Sequence, residues 1–294
     1  MNCIKEYYEE IKIGRIIAGK KIKKIYSKLV SEMENQNLPF YFDEKKADRP
    51  IEFIERFCKQ AEGNLGEPIK LELFQKAFIQ AIFGFINKET KTRRFNEVLL
   101  LMARKNGKTT LLSAIALYMM IADGEGSAEC YSVATKKDQA SKCFKSACAM
   151  RTQSPEIRAL VKKRRTDMYM PLTFSSFEPL ASDSNTLDGL NSHLVVIDEL
   201  HAIKDRKLYE VMKQSTSSRK QPLVIMITTA GTVRECIFDD MYAYANNVLD
   251  GIVKNDNFLP ILYEQDDEAE WKNIKYWSKS NPAIRNNQTI QIFK

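Results

Sequence analysis

The sequence predicts an α/β fold: a mostly parallel sheet with helices on both faces, preceded by a layer of helices. Two junctions and a rhythm carry that expectation. An apolar run, Val98 to Leu101, enters the turn Met102-Ala103-Arg104-Lys105-Asn106-Gly107-Lys108-Thr109, and an apolar helical pattern follows from Leu111 to Ile121. A second run, Leu194 to Ile197, ends in Asp198-Glu199. Strand-like and helix-period segments alternate along this stretch, as they do when crossover helices join parallel strands.

Taken in order, Tyr7 to Glu34 carries apolar residues at helical spacing with a break near Gly19, and a second helix is expected over Pro50 to Ala61. The turn-rich stretch Glu62 to Pro68 leads into a helix over Leu71 to Ile86. After the helix that opens at the Gly-Lys-Thr turn, Asp123-Gly124-Glu125-Gly126 is a stop signal. Glu129 to Ala134 then reads as a strand, and Lys136 to Met150 as a helix with Ala140, Cys143, Phe144 and Ala147 on one face. Met168 to Phe174 is expected as a strand or hairpin and Ser182 to Asn191 as a loop. Pro222 to Thr228 is a continuous β-rich run ending in Thr228-Thr229-Ala230-Gly231.

The chemistry sits at three strand ends. A Gly-Lys-Thr turn that leaves a strand and opens a helix aims backbone N–H groups and the positive end of the helix dipole at one point. Lys108 adds a full charge there, which suits a polyphosphate. The loop matches only the second half of the phosphate-loop pattern, because Met102 stands where that pattern has glycine. Asp198 and Glu199 supply the complementary part: an acid at a strand end for Mg²⁺, shared with Thr109, and a carboxylate to place the attacking water. Alone, such a pair equally serves to cap a following helix; the loop upstream favours the chemical role. Thr228, Thr229 and Gly231 are expected beside the terminal phosphate.

Composition sets the outer bounds. A 294-residue chain with 44% hydrophobic residues can bury one full α/β core with additions. Thr109 to Ala122, the longest nearly uncharged stretch, is too short to cross a bilayer, so no membrane partner is expected. The first ten residues are mixed in charge, which predicts a cytoplasmic protein. Six cysteines show no C-x-x-C pairing and are expected as reduced, mostly buried thiols. The net charge of +7 is a mild bias toward a polyanion; its basic clusters, Lys20 to Lys28 and Lys162 to Arg165, and the acidic Tyr263 to Glu270 also suit solvated faces.

Set in order, these motifs resemble the large terminase subunit of tailed bacteriophages, in its HK97-like branch. The resemblance runs through Ala103 to Thr110, through Asp188-Gly189-Leu190-Asn191 to Asp198-Glu199-Leu200-His201, and through Thr228 to Gly231. Upstream, Phe53-Ile54-Glu55 and Leu71-Glu72-Leu73-Phe74-Gln75 look like that family's lead-in to an adenine-contacting Gln; downstream, Trp277 to Asn281-Pro282 resembles the end of its ATPase half. It implies a P-loop NTPase fold of the ASCE, RecA-like type and an ATP-hydrolysing motor that drives double-stranded DNA into a capsid. The implied partners are the portal, the small terminase subunit and further copies of the chain in a ring, within the host bacterium.

Carried over residue by residue, the resemblance makes Gln75 the adenine reader with Phe74 packing nearby, and places Arg104, Lys105, Asn106, Gly107, Lys108, Thr109 and Thr110 on ATP. Thr109 and Asp198 hold Mg²⁺, Glu199 is the catalytic carboxylate and Arg104 faces the γ-phosphate. Thr228, Thr229 and Gly231 couple hydrolysis to motion. Two departures stand out. Asp188 occupies the place where some terminases carry an arginine, leaving Arg206, Arg219 and Arg234 as unranked candidates for an arginine acting on a neighbouring subunit's site. The residues after Gly231 are also too few for the family's RNase H-like nuclease half, so no nuclease activity is expected. The implied division is a helical segment over 1–68, an ATPase core over 69–231, and a lid or linker over 232–294 toward a nuclease domain. A helicase-like translocase and a non-catalytic nucleotide-binding assembly module are the rival readings.

Overall fold

A computed structural model describes residues 1–181, 187, 189–203, 206–231 and 236–284. The chain opens with α1 (Cys3–Lys12) and α2 (Lys20–Glu34), separated as the break near Gly19 predicts. A short strand β1 (Phe40–Phe42) precedes α3 (Glu44–Phe57) and α4 (Leu73–Gly84), and β2 (Phe85–Asn87) pairs antiparallel with β1. Neither short strand was expected: each is a three-residue piece whose strand partner lies far off in the sequence. Helix α3 starts six residues before Pro50, the expected first residue. The Asp43 carboxylate accepts from the Lys46 N–H at 3.1 Å, capping the helix there. Pro50 therefore lies inside the helix, where it withholds one backbone donor.

Strand β3 (Glu97–Leu101), which enters the Gly-Lys-Thr turn, is followed by α5 (Lys108–Ile121), β4 (Glu129–Ala134), α6 (Lys137–Gln153) and α7 (Pro155–Leu160). Strands β5 (Lys162–Lys163), β6 (Met168–Met170) and β7 (Ser175–Ala181) come next; the strand or hairpin expected over Met168 to Phe174 holds β6 and a turn, and β7, which pairs with β6, was not expected. Most of the loop expected over 182–191 lies outside the described residues. Then come β8 (Ser192–Ile197), a 3₁₀ turn Leu200–Ala202, α8 (Lys207–Gln214), β9 (Leu223–Thr228), α9 (Ile237–Leu249) and β10 (Phe258–Leu262). Two further 3₁₀ turns, Glu268–Lys272 and Ile274–Lys279, complete the described chain.

The main sheet has the order β10-β3-β9-β8-β4-β7-β6-β5. From β10 to β7 every pairing is parallel; β6 and β5 extend the edge antiparallel. Helices α5 and α6 pack on one face, and α2, α8 and α9 lie against strands or one another on the other side. The buried strands β3, β8 and β9 and the mostly buried α5 are largely apolar, with their polar residues confined mainly to their ends, as elements covered on both sides are. The division expected at residue 231 does not follow the sheet. Strand β10 lies beyond it, yet pairs with all five residues of β3, so the C-terminal segment completes the core. None of the described helices is long and apolar enough to cross a membrane.

The charge runs largely answer one another. Basic α2 faces the acidic C-terminal stretch through Lys21–Glu264 at 2.5 Å and Lys24–Asp250 at 2.7 Å, while Asp266 accepts from the Lys20 N–H at 2.6 Å. All six thiols are free, and only Cys148 is not fully buried.

Candidate functional site

Strand order sets the site. Strand β9 lies between the loop strand β3 and the acidic strand β8, with Leu101 opposite Thr228 and Ile197 opposite Met226. The loop after β3, Asp198 after β8 and Thr229 after β9 thus leave the sheet at one edge, the carboxyl ends of parallel strands where ligands bind in open α/β sheets. Gly107 begins α5 at φ 70°, a left-handed turn that favours glycine, so the first N–H groups of the helix open toward the same edge.

Lys108 is half-buried, and its ammonium donates to the loop carbonyls of Met102 at 2.8 Å and Ala103 at 2.6 Å. Burial lowers its pKa, opposed by the negative charges of Glu199 and Asp198. Asp198 is pushed up to about 6, first by burial and then by Glu199 beside it, with Lys142 and Lys108 pulling the other way. Residues distant in the chain, Lys108 and Asp198, therefore feel one another's charge. A half-buried carboxyl destabilised by a neighbouring carboxylate suits a hard divalent cation, and Asp198 with the Thr109 hydroxyl is an all-oxygen donor set of the kind Mg²⁺ takes together with phosphate. Thr109 is exposed on the first turn of α5. Among the described residues no group of three or more His, Cys, Asp or Glu forms a metal cage, so such an ion would depend on substrate oxygens.

Glu199 turns sharply off β8 with φ 53°, in the sparsely populated left-handed region for a non-glycine. Its Oε2 accepts from the Thr229 hydroxyl at 3.4 Å and lies 3.2 Å from His201 Nδ1. Thr228 is buried at the end of β9; its carbonyl accepts from the Met102 N–H at 3.2 Å, and its hydroxyl contacts His201 Nδ1 at 3.0 Å. Loop, acid and Thr-Ala-Gly segment form one bonded unit. Arg104 and Lys105 are exposed on the loop, with Arg104 close enough to Lys108 to lower its pKa.

Of three further expected nucleotide contacts, Asn106 and Gln75 line one cleft and Phe74 does not. The Asn106 side chain is committed within the protein: its amide donates to the carbonyls of Ala103 and Arg104 and to Asn281 Oδ1 at 2.9 Å, and its oxygen accepts from the Ala283 N–H at 3.1 Å. Gln75 Oε1 accepts from the Glu72 N–H at 2.9 Å, while its Nε2 lies beside Gly107 in a cleft of about 240 Å³ shared with Thr110 and Lys105. Phe74 does not join it. Adjacent helix residues point apart, and the Phe74 ring packs edge-on to Tyr263 at 6.1 Å, bordering a separate groove.

Sequence reasoning missed Asn281 and His201 as site residues. Nothing in a lone Asn-Pro announces a partner far upstream in the chain, whereas a histidine two residues past the acidic pair was a visible signal. The arginine candidates separate clearly. Arg219 is a buried brace, its guanidinium donating to Glu125 and to the carbonyls of Gly126, Ser127 and Asn191, whereas Arg206 is exposed and pairs with Glu210 and Asp240. Arg234 and Asp188 lie outside the described residues.

The chain is similar to the large terminase subunit of Enterobacteria phage HK97, at 26% identity over 247 residues, covering 81% of this chain and 46% of that protein. The large terminase subunit of Lactococcus phage p2 is 24% identical over 294 residues, 97% of this chain and 52% of that one. The chain thus spans about half the length of these relatives. The crystal structure of the HK97 large terminase superposes with a TM-score of 0.71 at 23% identity, over 83% of this chain and 50% of that one, a likeness of fold. Residues 73–247 match the family model described as the terminase large subunit, ATPase domain. With that match over more than half its length, the chain belongs to the terminase large-subunit ATPase-domain family.

Proposed function

We propose that the chain is the ATP-hydrolysing motor domain of a phage terminase large subunit, transferring the γ-phosphoryl group of ATP to water to drive double-stranded DNA into a capsid. The observation that carries this reading is the mutual electrostatic reach of Lys108, Asp198 and Glu199 at one sheet edge. Lys108 exchanges the carbonyls of Met102 and Ala103 for the β- and γ-phosphates, and the N–H groups that open α5 cradle them. Mg²⁺, when bound, neutralises phosphate charge; Thr109 and Asp198 are the residues that hold it. Glu199 orients the attacking water, and Arg104 faces the γ-phosphate, where a guanidinium offsets charge spreading over the transferred oxygens. Gln75 Nε2 reads the base across the cleft beside Gly107.

Loss of the γ-phosphate relaxes the Thr229–Glu199 contact, and β9 passes that change to the body of the sheet. DNA is held through its phosphates without sequence preference. The portal, the small terminase subunit and further copies of the chain in a ring complete the machine in the cytoplasm of the host bacterium, encoded by a phage or prophage. The test is the ATPase rate of the purified chain with and without double-stranded DNA at two salt concentrations. Turnover stimulated by DNA at low salt and less so at high salt supports the motor. Turnover indifferent to DNA and portal supports a nucleotide-binding assembly fragment, and separation of a forked duplex supports a helicase-like translocase.

A further inference from the structure

The His201 ring joins the acidic strand end to the end of β9, and its surroundings assign its proton. Thr228 has one hydroxyl hydrogen, which it donates to the Thr229 carbonyl at 2.9 Å. Thr228 Oγ1 can then only accept from His201, and it does so twice, from the backbone N–H at 3.3 Å and from ring Nδ1 at 3.0 Å. Nδ1 therefore carries a proton and shares it with Glu199 Oε2 at 3.2 Å. The other side of the ring is closed by Gly231: a Cβ there would stand 2.6 Å from His201 Cγ and Cδ2, with no left-handed backbone angle to account for the glycine.

We propose that His201 is a positioning residue for hydrolysis, fixing the Glu199 carboxylate through Oε2 so that Oε1 is left to accept from the attacking water, and tying that carboxylate to Thr228. Gly231 is glycine because the ring needs its space. The proposal rests on Glu199 being the catalytic carboxylate.

Steady-state ATPase kinetics of the whole chain test it with His201→Ala, His201→Asn, Gly231→Ala and the double variant His201→Ala/Gly231→Ala, beside Glu199→Gln. His201→Ala lowers kcat about 10-fold and leaves KM for ATP within about 2-fold, as expected when a reacting group is misplaced but binding is intact. His201→Asn recovers most of the loss, because Asn Nδ2–H stands the same number of bonds from the backbone as His Nδ1–H. Gly231→Ala alone lowers kcat as His201→Ala does, and adds nothing to it in the double variant. A kcat for His201→Ala within about 2-fold of wild type, no recovery with Asn, or losses that multiply in the double variant each overturn the proposal. Should His201→Ala not fold, His201→Asn with wild-type kcat beside an impaired Gly231→Ala supports it, and an unimpaired Gly231→Ala overturns it. Turnover retained in Glu199→Gln, or absent from the wild type, overturns the reading of the site itself; Glu199→Gln dead beside a fully active His201→Ala overturns the His201 role alone.

Discussion

At the scale of single residues, the duties proposed for Lys108 and Glu199 are separable. With Lys108 on the transferred phosphoryl group as proposed, Lys108→Ala lowers turnover by roughly 100-fold or more. Glu199→Gln keeps the shape and removes the charge that orients water; it binds ATP and turns it over at least about 100-fold more slowly. Equilibrium binding measured beside single-turnover hydrolysis separates the two, and loss of ATP binding in Glu199→Gln would contradict the assignment. Far from the site, buried Asp123 accepts from both terminal nitrogens of Arg93 at 3.1 and 3.2 Å and from His193 Nε2 at 2.8 Å. Burial alone would raise its pKa, but Arg93 and His193 outweigh it and hold the carboxyl at about 2. A folded-state pKa below the unfolded value stabilises above the unfolded pKa, here about 2 kcal/mol, lost as pH falls from about 4 to about 2. Urea melts of wild type and Asp123→Asn therefore differ most near neutrality and converge only as pH falls to about 2; a gap constant with pH would contradict this.

At the scale of elements, the phosphate loop is braced from the far end of the chain. Asn281 accepts from the Asn106 amide, and the Ala103 N–H donates to the Ser280 carbonyl at 3.1 Å. Asn281→Ala removes one of three acceptors of the Asn106 amide, a loss of about 1 kcal/mol. If this falls on the loop's bound shape, KM for ATP rises about 5-fold; an unchanged KM with an unchanged melting temperature would contradict the brace. Elements with local signals were legible in the sequence. The runs ending at Leu101, Ile197 and Thr228 stand where periodicity put them, as does the strand Glu129–Ala134. What escaped depends on distant partners: β1 and β2 pair with each other, and β10 is an edge strand whose place beside β3 no local pattern encodes. The helix start at Glu44 was hidden because Pro50 imitates a first-turn proline. At the candidate site, the residues that motif spacing singled out, Lys108, Asp198, Glu199 and Thr229, lie at one sheet edge, whereas the outward turn of Phe74 and the internal bonds of the Asn106 side chain follow from packing.

At the scale of the whole molecule, the excess of positive charge is less available to DNA than the count suggests, because basic α2 faces acidic Asp250, Glu264 and Asp266. Lys279 adds to the same junction through Asp266 at 2.8 Å and through Glu270. The helical layer, the sheet and the C-terminal segment are thereby joined, and the proposed ligand site lies at the carboxyl ends of the central strands. The account stands on the loop and the acidic strand serving one metal–nucleotide complex. Affinity for a fluorescent ATP analogue, measured with and without Mg²⁺ in wild type and Asp198→Asn, tests that directly. The expected result is that Mg²⁺ tightens binding about 10-fold in wild type and has little effect in Asp198→Asn; the same Mg²⁺ enhancement in both proteins would contradict it.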